Sequence, residues 1–165
     1  MLHQTITTDL PRADGILRAG FGLRDGVTRL MRLHQAGSAK AMLPPAPGCE
    51  MVLLNTSGGL TGGDRMEIAV SQAPGTKLVV TTQTAERAYR SASGRARVSA
   101  RFTVGAGAHL DLLPQETILF DGAQLDRLGV LVMNGVDHLH GLVLRVGQLL
   151  LDMLQLLRAP RRGPW

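Results

Sequence analysis

Two stretches of this chain repeat each other. Pro74-Gly75-Thr76-Lys77-Leu78-Val79-Val80-Thr81-Thr82-Gln83 lines up with Ala106-Gly107-Ala108-His109-Leu110-Asp111-Leu112-Leu113-Pro114-Gln115, so that Gly107 takes the place of Gly75 and Gln115 that of Gln83. Each copy runs turn, β-rich segment, glutamine, and each follows an alternating segment. Met66, Ile68 and Val70 alternate with Arg65, Glu67, Ala69 and Ser71, and Val98, Ala100, Phe102 and Val104 alternate with Arg97, Ser99, Arg101 and Thr103. A period of two puts apolar side chains on one face and polar ones on the other. Strand pairs recurring at this interval predict stacked sheets or a β-helical coil rather than a single hairpin meander.

The segments before the repeat fit the same class. Asp25-Gly26 sits between two strand-like runs, the signature of a tight hairpin turn of the primed type. Pro44-Pro45-Ala46-Pro47-Gly48 then breaks the chain as a linker, because prolines cannot donate to a central ladder. Glu50-Met51-Val52-Leu53-Leu54 reads as a buried strand that delivers a glycine-rich loop, Gly58, Gly59, Gly62 and Gly63, ending on Asp64. Gly58 and Gly63 have the spacing of a phosphate-binding loop, but Asp64 stands where a lysine is required and a strand-like run follows where a helix is required. Nucleotide binding is therefore set aside, and the loop reads as a β-to-β turn. Ser57 beside it lacks a G-x-S-x-G setting and a neighbouring histidine, which leaves a β-rich hydrolase as a remote alternative.

At 165 residues the chain suits one domain with a real core, and 44% apolar residues with a mean hydropathy of +0.08 argue against disorder. The net charge of +5 is carried almost wholly by arginine. Arg87, Arg90, Arg95, Arg97 and Arg101 read as a basic stripe, either a solvated strand face or a docking surface for acidic patches on proteins. With aromatics at only 3%, stacking partners for bases are scarce, so nucleic acid is not expected as a partner. Cys49 is the sole cysteine, which rules out an intrachain disulfide and, with no secretory pattern after Met1, points to the cytoplasm. The apolar run from Gly141 to Leu157 carries Arg145, Gln148 and Asp152, so no membrane span is expected. His138 and His140 share a strand face but read as a chance pair.

Three segments together resemble one family. Asn55-Thr56-Ser57-Gly58-Gly59-Leu60-Thr61-Gly62-Gly63-Asp64 is the first, and Thr81-Thr82-Gln83 with Glu86-Arg87-Ala88-Tyr89-Arg90-Ser91 is the second. The third is Leu113-Pro114-Gln115-Glu116-Thr117-Ile118-Leu119-Phe120-Asp121-Gly122. In order and spacing they are similar to the urease accessory protein UreD (UreH), over about residues 15–127. The resemblance implies an all-β, β-helix-like scaffold of stacked antiparallel and mixed sheets over residues 1–127. Residues 128–165 do not match and are expected to form a divergent tail, helical or poorly ordered.

It further implies a non-enzymatic metallochaperone scaffold of the cytoplasm that joins apo-urease to UreF and to UreG, a nickel-carrying GTPase. No cofactor is held tightly, and Ni(II) is a transient passenger. A transfer path for nickel needs several weak ligands rather than a closed cage, and the carboxylates in the matched segments are Asp64, Glu86, Glu116 and Asp121. For Asp64 two readings stand side by side, a metal-path ligand with room left by its glycines and a carboxylate capping its own turn. Arg87, Tyr89, Arg90 and Gln115 are the candidates for partner binding. The unmatched tail adds a second functional expectation, a truncated and inactive fragment of such a protein.

Overall fold

The computed structural model describes residues 11–134 and, as backbone, Leu154–Arg158; His138 and His140 lie outside the described residues. Among these residues every regular element is a strand. β1 (Asp14–Arg24) and β2 (Val27–Gly37) form the hairpin that Asp25-Gly26 predicts. Asp25 and Gly26 both take positive φ, 52° and 73°, as a turn matching the strands' twist requires. β3 (Ala39–Met42) and β4 (Glu50–Asn55) are antiparallel and flank the proline linker.

From there the chain winds as a coil. β5 (Arg65–Gln72), β8 (Ala96–Val104) and β11 (Leu125–Met133) lie parallel in a front sheet ordered β12-β11-β8-β5-β1-β2, with β12 spanning Leu154–Arg158. β6 (Lys77–Thr82) and β9 (His109–Leu113) lie parallel in a back sheet ordered β3-β4-β6-β9. β7 (Glu86–Ala88) and β10 (Thr117–Leu119) pair as a short side wall, which Leu60 extends by bridging to Ala88. Each turn of the coil thus visits front sheet, back sheet and side wall before returning. The repeat sets the register: Arg65 pairs with Arg97 in the front sheet and Lys77 with His109 in the back sheet, at the same offset along the chain. The next front pairing, Arg97 with Asp126, has a shorter offset. The β-helix-like reading of the sequence and the stacked, mixed sheets describe this chain.

The core fills the space between front and back sheets. Ala19, Val70, Phe102 and Leu131 stand in one register across four front strands, each 5% exposed or less. Met51, Val80, Leu78 and Leu110 meet them from the back sheet and are buried to a similar degree. Poor in aromatics, the core is made of leucine, valine, alanine and methionine around two phenylalanines, Phe21 and Phe102. The turn from front to back sheet is fastened by buried polar groups. Gln72 Nε2 donates to Thr76 Oγ1 at 3.2 Å and to the His109 carbonyl at 3.0 Å, tying one coil to the next.

Where the described residues enter the stretch expected to be a helical or disordered tail, they are strands. β11 continues past residue 127 to Met133, still paired with β8, and β12 pairs parallel with β11. The reason lies in Val130-Leu131-Val132: β-branched residues suit a pleated surface, and Leu131 completes a buried row.

Candidate functional surface at the side wall

The three segments singled out by the sequence are the same structural piece, three times over. Residues 55–64, 81–91 and 113–122 each leave the back sheet, cross the side wall and turn toward the front sheet. They therefore stack. Leu60 N donates to the Arg87 carbonyl at 2.7 Å and Tyr89 N to the Leu60 carbonyl at 2.8 Å, joining the first to the second. Glu86 N donates to the Glu116 carbonyl at 3.0 Å and Phe120 N to the Ala88 carbonyl at 2.9 Å, joining the second to the third.

The glycines permit this closeness. A Cβ on Gly59 would stand 2.8 Å from the Arg87 carbonyl oxygen and against the Tyr89 ring, while one on Gly62 would collide with Ser91 Oγ and the Ser93 carbonyl. Gly58 and Gly63 take positive φ in the same turn.

Asp64 is 5% exposed, and its carboxylate closes the loop. Oδ1 accepts from Ala13 N at 2.8 Å and Oδ2 from Thr61 N at 2.7 Å, so each oxygen already satisfies a backbone donor. The geometry is that of a carboxylate capping its own turn, and the flanking glycines admit neighbouring chain rather than leaving open room. Ser57 is also committed locally, its Oγ 2.6 Å from Asn55 Oδ1 and 2.7 Å from the Gly59 carbonyl.

The other carboxylates divide between inside and outside. Glu86 and Thr117 share a register position and are half-buried, and Asn55 Nδ2 lies 3.3 Å from each Glu86 oxygen. Arg127 reaches them from the opposite sheet. It occupies the register of Met66 and Val98, both buried, and its Nη1 donates to Thr117 Oγ1 at 2.7 Å. Its Nε is buried with no acceptor among the described residues. Burial pushes the Arg127 pKa down, because the charged form loses water, and the negative charge of Glu86 opposes that shift. Asn55, Glu86, Thr117 and Arg127 thus form a polar cluster behind the side wall. Glu116 and Asp121 are exposed, the latter paired with Arg90. Among the described residues no group of three or more His, Cys, Asp or Glu side chains is arranged to hold a metal ion.

On the outside of the wall Tyr89 and Phe120 stack, with centroids 5.2 Å apart and planes 17° from parallel. Ile118, Leu119 and Phe120 are 41%, 54% and 46% exposed, an apolar patch beside the exposed Arg87. Gln115 is exposed, and its backbone N–H donates to Thr82 Oγ1 at 2.9 Å. Leu119 stands in register with Ala88, which is 2% exposed and bridges Leu60 at 1%, so it is the bare last member of a buried row. The single basic stripe expected from sequence is instead split. Arg87 and Arg90 are on the side wall, Arg90 and Arg95 pair with Asp121 and Asp126, and Arg97 and Arg101 are on the front sheet. Register, not sequence proximity, decides which arginines are neighbours.

Arg127 and Thr117 were not singled out by sequence. The repeat does not lead to Arg127: the offset from Met66 to Val98, carried one coil further, arrives at Val130, and only the shorter step between β8 and β11 brings Arg127 into the row.

Comparison with known proteins bears on this stacked wall directly. The family model described as UreD urease accessory protein matches residues 13–134, from the first front strand to the end of β11. The chain belongs to the UreD urease accessory protein family. It is 55% identical over 120 residues to a UreD of Chelativorans sp. strain BNC1, covering 72% of this chain and 43% of that one. To a UreD of Rhizobium etli it is 50% identical over 118 residues, covering 70% and 43%. A UreD of Cereibacter sphaeroides is 49% identical over 124 residues, covering 74% and 45%. The chain thus spans less than half the length of the UreD relatives it matches. Among the described residues no helix is long and apolar enough to cross a membrane.

Proposed function

We propose that this chain is a non-catalytic urease maturation factor of the cytoplasm, which helps deliver nickel to apo-urease in complex with UreF and UreG. The observation that carries this reading is the coincidence of family match and architecture. The family match runs through all three stacked segments of the side wall, where glycines, carboxylates, arginines and an aromatic pair are brought to one side of a rigid coil. Such a wall offers partner proteins an apolar patch rimmed by charge, the composition of a protein-binding surface.

In this reading Ni(II) is cargo. Glu86 is the carboxylate best placed to meet it on the inner side of the wall, with Asn55 holding its oxygens and Arg127 limiting how tightly a cation binds there. Glu116 and Asp121 serve as exposed weak ligands at the surface, and Asp64 acts by holding the loop shut. Weak ligation suits a carrier, since a closed site would retain the ion.

The test is reconstitution of apo-urease with UreF, UreG, GTP and nickel, with and without this chain. Higher urease activity and nickel content with the chain are expected, and equal activation overturns the role. Glu86→Gln is expected to lower the nickel delivered while leaving UreF recovery in a pull-down unchanged.

A further inference from the structure

The row that holds Met66 and Val98 ends on a charge that a regular repeat would not put there. The step from Val98 to Arg127 is three residues shorter than that from Met66 to Val98, and at the longer step Val130 would stand in its place. A valine leaves nothing unpaired, whereas a buried guanidinium loses water and has to be held. Among the described residues Arg127 is held at one point, Nη1 on Thr117 Oγ1 at 2.7 Å, and its buried Nε has no acceptor. Nor does it close an ion pair with the carboxylate it faces, since the ion pairs among the described residues are Arg90–Asp121, Arg95–Asp126 and His109–Asp111.

Glu86 is in the same condition. It is half-buried and in register with Thr117, and Asn55 Nδ2 lies 3.3 Å from each of its oxygens, yet no cationic side chain among the described residues stands at ion-pair distance. Carboxylate and guanidinium still act on each other through space, because the negative charge of Glu86 raises the Arg127 pKa against the effect of burial. A carboxylate bonded to an arginine has lone pairs committed to it. One that lies only within the arginine's field keeps them free for a cation, at reduced attraction.

We infer that Arg127 sets the affinity of the side wall for divalent cations: its positive charge, standing off from Glu86 rather than bonded to it, leaves that carboxylate open to a cation and weakens the cation's hold. The inference rests on reading Ni(II) as cargo that meets Glu86, and it names the residue that makes the encounter brief. A divalent ion and a single positive charge about 6 Å apart repel, even in a water-like dielectric, by enough to change affinity about tenfold. With a neutral residue in place of Arg127, the same carboxylate and amide form a more retentive site. The shortening of the coil thus exchanges a dry position for a charge that governs release.

The test is equilibrium dialysis of the full chain against nickel chloride alone at about 150 mM salt, with β-sheet circular dichroism recorded for each variant. Arg127→Gln is expected to bind nickel about tenfold more tightly than the parent. Arg127→Lys keeps the charge without the planar fork and is expected to bind within about twofold of the parent. The gain is expected to disappear in Arg127→Gln/Glu86→Gln. Should Arg127→Gln lose its β-sheet signal, Arg127→Val, which restores the residue of the regular repeat, is measured in its place. Equal or weaker binding by the uncharged variant overturns the inference. So does binding by Arg127→Lys as tight as by the uncharged variant, which makes space rather than charge the cause, and so does a gain that survives Glu86→Gln. The maturation role is read separately: a chain that fails to activate apo-urease yet shows the tenfold change loses the role and keeps this inference, and the reverse result loses only the inference.

Discussion

Two ends of the same interior are built to opposite rules. Toward one end, Ala19, Val70, Phe102 and Leu131 form a row with no polar atom beyond the backbone. Earlier on the same strands, Met66 and Val98 lead to Arg127, which reaches Thr117 and faces Glu86 held by Asn55. The back sheet covers the first row with leucine, valine and methionine, so a charge there would have no acceptor. The side wall covers the second with a hydroxyl and a carboxylate, so a guanidinium can enter at a cost that its partners partly offset. What is tolerated inside a β-coil is therefore set by the opposing wall, not by the strand that carries the residue.

The comparison can be broken most sharply at its dry end. Phe102→Ala is expected to destabilise the chain by about 3–5 kcal/mol in denaturant unfolding, and a cost under about 1 kcal/mol would show that the row is not the core. Next comes the clamp on the loop behind the wall. Asp64→Ala orphans the Ala13 and Thr61 amides and is expected to cost about 2–3 kcal/mol by the same measurement, with Asp64→Asn losing less because one oxygen remains. At the wet end, Thr117→Val should cost about 1–2 kcal/mol by leaving an Arg127 donor unpaired. In an Arg127→Met background the same change should cost less than about 0.5 kcal/mol; an unchanged cost in both backgrounds would show that the two residues are not coupled. The smallest effect concerns Cys49, half-buried against the core. Burial pushes its thiol pKa up, with the positive charge of Arg29 opposing, so less thiolate is present than in free cysteine. Alkylation by iodoacetamide at about pH 8 should run several-fold slower than for free cysteine, and an equal rate would place the thiol in water.

Much of this was legible in the residues. The spacing of Gly75 and Gly107 gave the parallel register of β6 and β9, and the alternation of 65–71 and 97–104 gave the dry faces of β5 and β8. Asp25-Gly26 located the first hairpin because only certain residues accept two consecutive positive φ values. Three things were not legible. Glu86–Ala88 gives no strand signal in the sequence, since so short a strand has no period to detect and exists only because β10 and Leu60 pair with it. Arg127, between Asp126 and Leu128, carries no local sign of burial, and only the register places it beside Val98 in a buried row. The arginines from 87 to 101 looked like one stripe because sequence order hides that the chain turns a corner within them. In each case the missing information is the identity of the residue across the ladder or across the interior, which no local window contains.

The shortening of the coil is confined to one place. The step from one coil to the next is longest in the back sheet, from Lys77 to His109, shorter in the side wall, from Glu86 to Thr117, and shortest on return to the front sheet, from Arg97 to Asp126. The chain is therefore lost only from the links into and out of the side wall. Front and back sheets keep their pairing regardless. Such an arrangement separates what must be constant from what can vary. Substitutions, insertions and deletions in the corner leave the core rows aligned, so the chemistry displayed on the wall can be altered one coil at a time without refolding the rest.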